Sequence, residues 1–303
     1  MVRETTLVPR PPYSLAASVR MRSDATRVFR DGVLTLVYER AGAPVLARVW
    51  QRPDASLAVT IEAESPSEAV EHLRFMLALD DDYSEFLDRF ADDALLAEPI
   101  RNHRGLRPLR VATVTHALLK AVCGQLIQAK AARLLEARLL RLAGQPHAGL
   151  YLPPTRSTFA CFSPAELERH GLASRKAVAL IRLSRELDLE RLRRVGSDQV
   201  ARRLERERGL GPWSAAMVAL HGLGRVDLGL VGDLGLIKIC AALRGRWADA
   251  EDTCELLEPY GEWAGLASVY LLASTGRAYG AGKQPGFSRS RAHLSGLSAT
   301  YSR

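Results

Sequence analysis

The sequence predicts a mainly α-helical protein that carries a small α+β unit, an antiparallel sheet with one packed helix, at its N-terminal end. Three observations lead there. Short runs of β-branched residues bounded by turn signals cluster between residues 33 and 62. From about residue 100 onward the apolar residues recur at helical spacing instead. Serine–proline capping signals open helices at Ser65 and Ser163.

In chain order, Val33–Tyr38, Val45–Gln51 and Leu57–Ile61 read as strands, separated by turns at Gly42-Ala43-Pro44 and Arg52-Pro53-Asp54. Ser65-Pro66-Ser67-Glu68 has the form of a capping box with proline at N1, opening a helix to about Leu79. The acidic run Asp80-Asp81-Asp82 is expected to start the next helix, where the helix dipole favours negative charge. Val114–Leu142 carries apolar residues at helical spacing, Leu118, Val122, Leu126, Leu134, Leu135 and Leu139 among them, until Gly144 and Pro146 stop it. Ser163-Pro164-Ala165-Glu166 is a second capping box, its short helix ending at His170-Gly171. Helices are expected over Ser174–Leu187, Ser197–Arg206, Trp213–Leu220, Leu234–Leu243, Ala248–Leu257 and Trp263–Tyr279, and no strand after residue 100. The divisions expected are an N-terminal α+β domain over 1–98, a helical domain of two lobes over 99–280, and a flexible basic tail over 281–303, rich in glycine, serine and arginine.

Composition narrows the function without deciding it. The 303 residues are 47% hydrophobic and 25% charged, enough apolar matter for a substantial core. A formal charge of +8, largely from arginine, favours a polyanionic partner. No run approaches the roughly 20 apolar residues that span a bilayer, and Met1–Arg10 lacks the apolar region of a secretion signal. Cys123, Cys161, Cys240 and Cys254 are widely spread, which argues against a disulfide framework and for a reducing cytoplasm. The seven histidines form no paired metal-ligand spacing.

The informative segment is Leu204–Lys238. An amphipathic helix meets Gly209-Leu210-Gly211, and Pro212-Trp213-Ser214-Ala215 starts the next helix. Glycines permit a tight reversal between helices, and their bare N–H groups with the following helix N-terminus suit a phosphate. Any helical hairpin can turn this way, so the glycines alone decide little. Asp233 stands at the mouth of a later helix, 22 residues after Gly211. By position alone it is an N-cap before it is anything else.

Taken together, the stretch GLGPWSAAMVALHGLGRVDLGLVGDLGLIK resembles the hairpin-to-aspartate signature of the helix–hairpin–helix base-excision DNA glycosylases (the HhH-GPD superfamily), in particular the bacterial alkylpurine (3-methyladenine, type II) branch. ALLKAVCGQLIQAKAARLL, SPAELERHGLASRKAVALIRLSREL and LEPYGEWAGLASVYLL are similar to further blocks of that family, in the same order, over about residues 100–275. The strand-rich N-terminal region is similar to the extra domain of the alkylpurine branch. The resemblance implies an enzyme that flips a damaged, alkylated purine out of double-stranded DNA and hydrolyses its N-glycosidic bond, acting as a cytoplasmic, nucleoid-associated monomer. Asp233 would stabilise oxocarbenium charge on the sugar. Trp213 stands where relatives that also nick DNA place a Schiff-base lysine, so no lyase step is expected; its ring would stack on a flipped, cationic base. Met217, Leu234 and Tyr260 complete the implied base pocket, with Met217 and Leu234 replacing aromatics found in relatives. Trp263 matches a further aromatic position, and either Tyr260 or Trp263 reads equally as core.

For DNA contact the resemblance implies Gly209, Leu210 and Gly211 on the backbone, Leu126 as a wedge into the emptied stack, Gln125 against the opposite strand, and Lys238 on the backbone. A leucine on an apolar helix reads as readily as core, and an exposed lysine as merely solvated. Arg208 and Glu207 replace a proline and an apolar residue before the hairpin, and a carboxylate there is expected to weaken DNA affinity. No cofactor is implied beyond a monovalent cation held by hairpin carbonyls, such as that of Leu210. An iron–sulfur cluster is argued against, because only Cys240 and Cys254 follow the aspartate. Two alternatives stand beside this reading: a glycosylase for oxidised or deaminated bases, and a non-catalytic binder of damaged DNA.

Overall fold

The computed structural model describes residues 1–19 and 24–278. Strand β1 (Val2–Leu7) and a short helix α1 (Leu15–Val19) precede β2 (Arg27–Arg30), β3 (Val33–Arg40), β4 (Ala43–Gln51) and β5 (Leu57–Glu62). These form one antiparallel sheet in the order β1-β5-β4-β3-β2, with Leu36 opposite Ala47 and Ala47 opposite Ile61. The three strands legible in the sequence are its centre. The two additional strands are its edges, where charge and shortness protect unpaired backbone and erase the apolar alternation: β1 is mostly exposed and β2 has four residues. Asp31-Gly32 and Ala41-Gly42 make two-residue hairpin turns with both residues at positive φ. The second lies one residue earlier than expected, so β4 already begins at Ala43.

Helix α2 (Pro66–Met76) covers the sheet with Ala69, Leu73 and Met76, and the Tyr38 hydroxyl donates to the Ala69 carbonyl at 2.7 Å. Its N-terminus departs from expectation. Ser65 is the N-cap, but its hydroxyl makes no capping bond, so Pro66 opens the helix without the box. The acidic run departs too. Only Asp82 serves the start of α3 (Ser84–Arg89), accepting from the Ser84 N–H at 3.0 Å. Asp81 turns away to pair with Arg110 and to accept from the Tyr83 hydroxyl, a partnership remote in sequence.

His72 on α2 lies between the rings of Tyr38 and Phe75, with centroids 5.4 and 6.1 Å away. Burial, then the charges of Arg193 and Arg40, lower its pKa to about 4, against a backbone hydrogen bond with Ala112 that acts the other way. Because the unfolded chain takes up this proton near pH 6.5 and the folded one only near pH 4, stability is complete above the higher value and falls across that window. The melting temperature is expected to drop between pH 6.5 and 4, and the drop to shrink in His72→Phe; an unchanged slope in that variant would refute the assignment.

The helical part follows with α4 (Ala97–Asn102), α5 (Val114–Gly124) and α6 (Ala129–Ala143). A two-stranded ribbon, β6 (Pro146–His147) and β7 (Leu150–Tyr151), corrects the expectation of no strand after residue 100; Leu150 and Leu152 pack on Val37 and Leu46 of the sheet. Next come α7 (Arg156–Ala160), α8 (Pro164–Arg169), α9 (Ser174–Glu186) and a 3-10 turn at Leu189–Arg194. Here the capping box forms as expected: Ser163 and Glu166 bond each other's backbone N–H groups, and Gly171 leaves the helix at φ +94°. Then α10 (Ser197–Glu205), α11 (Pro212–Val218), a π turn at Ala219–Leu223, α12 (Leu234–Arg244), α13 (Ala250–Leu257), a 3-10 turn at Glu258–Trp263 and α14 (Ala264–Ala278) complete the described chain. Tyr279, the expected end of that last helix, and the expected flexible tail lie outside the described residues. No helix among the described residues is long and apolar enough to cross a membrane.

Two helical cores result. One joins α5, α6 and α8 to α10; the other joins α3 and α4 to α12, α13 and α14. Helix α11 is the seam: Ala215 and Val218 belong to the first core, while Ala216 and, on the π turn, Leu220 belong to the second. Arg107, less than 2% exposed, binds carbonyls of Ala78, Asp81, Arg10 and Pro12 and so ties the N-terminal segments together.

Candidate active site

The turn between α10 and α11 is built as the glycines suggest, with one refinement. Gly209 has φ +96°, a conformation that disfavours any side chain. Gly211 is extended (φ −121°, ψ −173°) and caps α11, so its conformation does not demand glycine. A Cβ at either would meet nothing within 4 Å, so the space beside both α-carbons is open. Leu210 between them is buried in the first core, and its N–H donates to the Glu207 carbonyl at 3.0 Å, which anchors the turn. Glu207 corrects an expectation. It is 5% exposed and accepts two bonds from Arg182, at 2.8 and 3.1 Å, so its charge is neutralised inside the fold rather than presented to the hairpin's ligand.

Helix α11 carries Trp213 in its first turn, and α12 begins at Asp233. The Trp213 indole N–H donates to Asp233 Oδ2 at 3.0 Å, while Asp233 Oδ1 accepts from the Gly235 N–H at 2.8 Å. The aspartate therefore is an N-cap, as position alone suggests, and is also fixed to the hairpin helix by its other oxygen. The loop before it is held by Gly232, whose N–H donates to Thr253 at 2.8 Å, and by Leu230, bonded to Ser268 at 3.1 Å. Asp233 is partly buried, as are Trp213 and Met217. Gly124, the last residue of α5, lets the indole approach: a Cβ there would stand 2.6 Å from Trp213 Cη2. Gly235 has the same function toward Leu272. Sequence reasoning singles out neither glycine, although Gly124 lies inside the block ALLKAVCGQLIQAKAARLL.

The remaining site residues divide. Leu234 is 42% exposed beside Asp233, and Lys238 is exposed further along α12. Tyr260 is a correction: it is 4% exposed in the second core, edge-on to Phe90 at 5.2 Å, with its hydroxyl donating to Asp93 at 3.1 Å. Trp263 likewise packs against Phe86 and Tyr83. The single stretch Val114–Leu142 breaks between α5 and α6, and Leu126 stands at the break, 87% exposed with φ +57°, which removes it from the core. Gln125 corrects another expectation. Both of its amide protons are used within the protein, on the Gly209 carbonyl and on Ser214 Oγ, each at 2.7 Å. It straps the 125–128 turn to the hairpin, and Lys176 holds its carbonyl at 2.8 Å. The Gly209 carbonyl thereby already accepts one hydrogen bond from within the protein.

Asp24, His116 and Glu136 bring potential metal-ligating atoms within 4.8 Å of one another, but the Lys120 ammonium binds both Glu136 oxygens at 2.9 and 3.0 Å. Burial raises the Glu136 pKa, yet Lys120 and His116 outweigh it and bring the carboxyl down to about 2. Lys120 and Glu136 thus form an ion pair that joins α5 to α6.

The site thus joins a glycine corner, a tryptophan two residues beyond it, and a carboxylate bonded to that tryptophan. No protein-family model matches the chain. A DNA-3-methyladenine glycosylase of Bacillus subtilis (strain 168) is 26% identical over 222 residues, spanning 70% of this chain and 73% of that protein. The structure of a 3-methyladenine DNA glycosylase from Archaeoglobus fulgidus aligns with a TM-score of 0.77 at 22% identity, over 91% of this chain and 99% of that one. An 8-oxoguanine glycosylase/lyase from Clostridium acetobutylicum, bound to double-stranded DNA, aligns with a TM-score of 0.76 at 18% identity, over 92% and 98%. The chain is thus similar in sequence to a DNA-3-methyladenine glycosylase and shares the fold of these two DNA glycosylase structures. In this fold the seam helix α11 both closes the glycine corner at its N-terminus and supports the Asp233 carboxylate through Trp213.

Proposed function

We propose that the protein is a DNA glycosylase of base excision repair that removes alkylated purines by hydrolysis, without strand cleavage. The observation that carries this reading is the Trp213–Asp233 pair beside the Gly209–Gly211 corner. Cleavage of an N-glycosidic bond leaves positive character on the deoxyribose, and a fixed carboxylate stabilises it without reorganising. Gly235 and Trp213 hold the carboxylate of Asp233 in one plane, so its charge is aimed before the substrate arrives. Water, activated by the same carboxylate, adds to the sugar as the base departs. An alkylated purine that carries positive charge leaves readily and is attracted to an electron-rich indole face, which Trp213 supplies.

The absence of lyase chemistry rests on the residue type at 213. An indole cannot form a Schiff base with the opened sugar, whereas a lysine there could. The alkylated-base preference is supported by the name of the Bacillus subtilis relative and by the indole. Duplexes carrying one 3-methyladenine, 7-methylguanine, hypoxanthine or 8-oxoguanine, treated with the protein and then with alkali, test both points. Alkali-dependent breaks are expected at the methylated purines, and borohydride should trap no protein–DNA adduct. Breaks confined to 8-oxoguanine, or a trapped adduct, would overturn the reading.

A further inference from the structure

Beside the hairpin lies a cleft of about 360 Å³ between the 3-10 turn at Leu189–Arg194 and the outer side of α10. Its lining includes Leu187, Leu192 and Val195 together with four arginines, Arg191, Arg202, Arg203 and Arg206. Its one acidic lining residue, Asp188, is already paired with Arg191 at 3.1 Å. Arg202, Arg203 and Arg206 have no hydrogen bond or ion pair among the described residues. Elsewhere the arginines are widely committed: Arg107 and Arg156 to carbonyls, Arg110, Arg182 and Arg244 to carboxylates. Three uncompensated positive charges therefore gather at one cleft.

The helix dipole explains part of this, since cations in the last turn of α10 face its negative end. It does not require Arg206, which lies beyond the helix, or the apolar lining. Apolar lining beside arginines is suited to carrying their aliphatic stems while leaving the guanidinium heads at the rim. Arg206 is three residues from Gly209, at most about 10 Å of extended chain. Along one strand of B-DNA a phosphate recurs every 3.4 Å or so of axis, so phosphates next to the one at the glycine corner lie within that reach.

We propose that this cleft is a second backbone-binding site, in which Arg202, Arg203 and Arg206 hold phosphates of the strand whose neighbouring phosphate sits on Gly209–Gly211. The proposal rests on the DNA reading above, but not on base excision. Forked guanidinium groups match phosphate oxygens, and the contact is indifferent to sequence. Its function is to extend the grip beyond the hairpin, raising affinity for any duplex and making that affinity strongly dependent on salt.

The test is the salt dependence of binding to an undamaged duplex, followed by fluorescence anisotropy between 50 and 200 mM KCl. The triple variant Arg202→Gln, Arg203→Gln, Arg206→Gln is compared with Arg3→Gln, Arg30→Gln, Arg52→Gln, which removes equal charge from the N-terminal sheet. Three lost phosphate contacts should reduce the slope of log affinity against log salt by about 2.7, or about forty-fold in affinity change over that range. The sheet variant should leave the slope close to wild type. Single-turnover excision by the sheet variant at saturating enzyme should match wild type, since it touches neither Asp233 nor the cleft. Equal slopes in the two triple variants would overturn the proposal, as would binding of a polyglutamate peptide that depends on the three arginines while the DNA slope does not. A wild type that excises nothing but retains the slope difference would sink the glycosylase reading and leave this one standing.

Discussion

Asp233→Asn is expected to reduce excision from a methylated duplex by about 100-fold or more while leaving the fold intact, because the charge opposing the developing oxocarbenium is lost. Asparagine is chosen because it caps helices as well as aspartate does, so the bond from the Gly235 N–H survives. The bond from Trp213 does not survive, since an amide nitrogen would then face an indole N–H. Losing it costs about 1 kcal/mol, a shift of about 2–4 °C in a protein of this size. Two numbers of such different size separate chemistry from stability. Single-turnover rates and melting curves on the same preparation measure both. Excision within a few-fold of wild type would show that Asp233 is only a cap.

The second large effect is expected from a residue that touches no DNA in this reading. Gly124→Ala places a methyl group 2.6 Å from Trp213 Cη2, and the indole must move. Its bond to Asp233, 3.0 Å long, is then lost, and the carboxylate keeps only its cap. Overpacking costs about 1–3 kcal/mol, offset by the roughly 1 kcal/mol by which alanine outranks glycine in a helix. A net destabilisation of about 0–2 kcal/mol should thus accompany a loss of excision of about tenfold or more. Adding Trp213→Phe shrinks the ring and should relieve the strain without restoring excision. A Gly124→Ala protein as active as wild type would mean that the indole's position is not critical.

What could be read in advance depended on how local the physics is. The central strands, the Ser163–Glu166 box and the glycine corner are written within a few residues each, and they formed where expected. Asp233 and Trp213 were legible as positions, and their bond follows from the fold. Other features depend on partners far away in sequence. Glu207 looked like a charge beside the hairpin until Arg182, from another helix, neutralised it. Gln125 looked like a reader of DNA, yet the hairpin 84 residues later consumes its donors. Tyr260 matches a pocket aromatic by resemblance and reads equally as core, and its bond to Asp93, far away in sequence, goes with the second reading. Edge strands were missed because solvent and charge selection remove the pattern that marks a strand.

The short turn after α5 has one further consequence. A leucine that is 87% exposed at φ +57° is an arrangement that water alone would not maintain. It persists because Gln125 is fastened on one side to Gly209 and Ser214 and on the other to Lys176. Freezing four loose residues at the moment of association would cost several kcal/mol of chain entropy, at about 1–2 kcal/mol each. Here that ordering is complete in the free protein, so the exposed Leu126 is held out from the surface by the same bonds that brace the glycine corner.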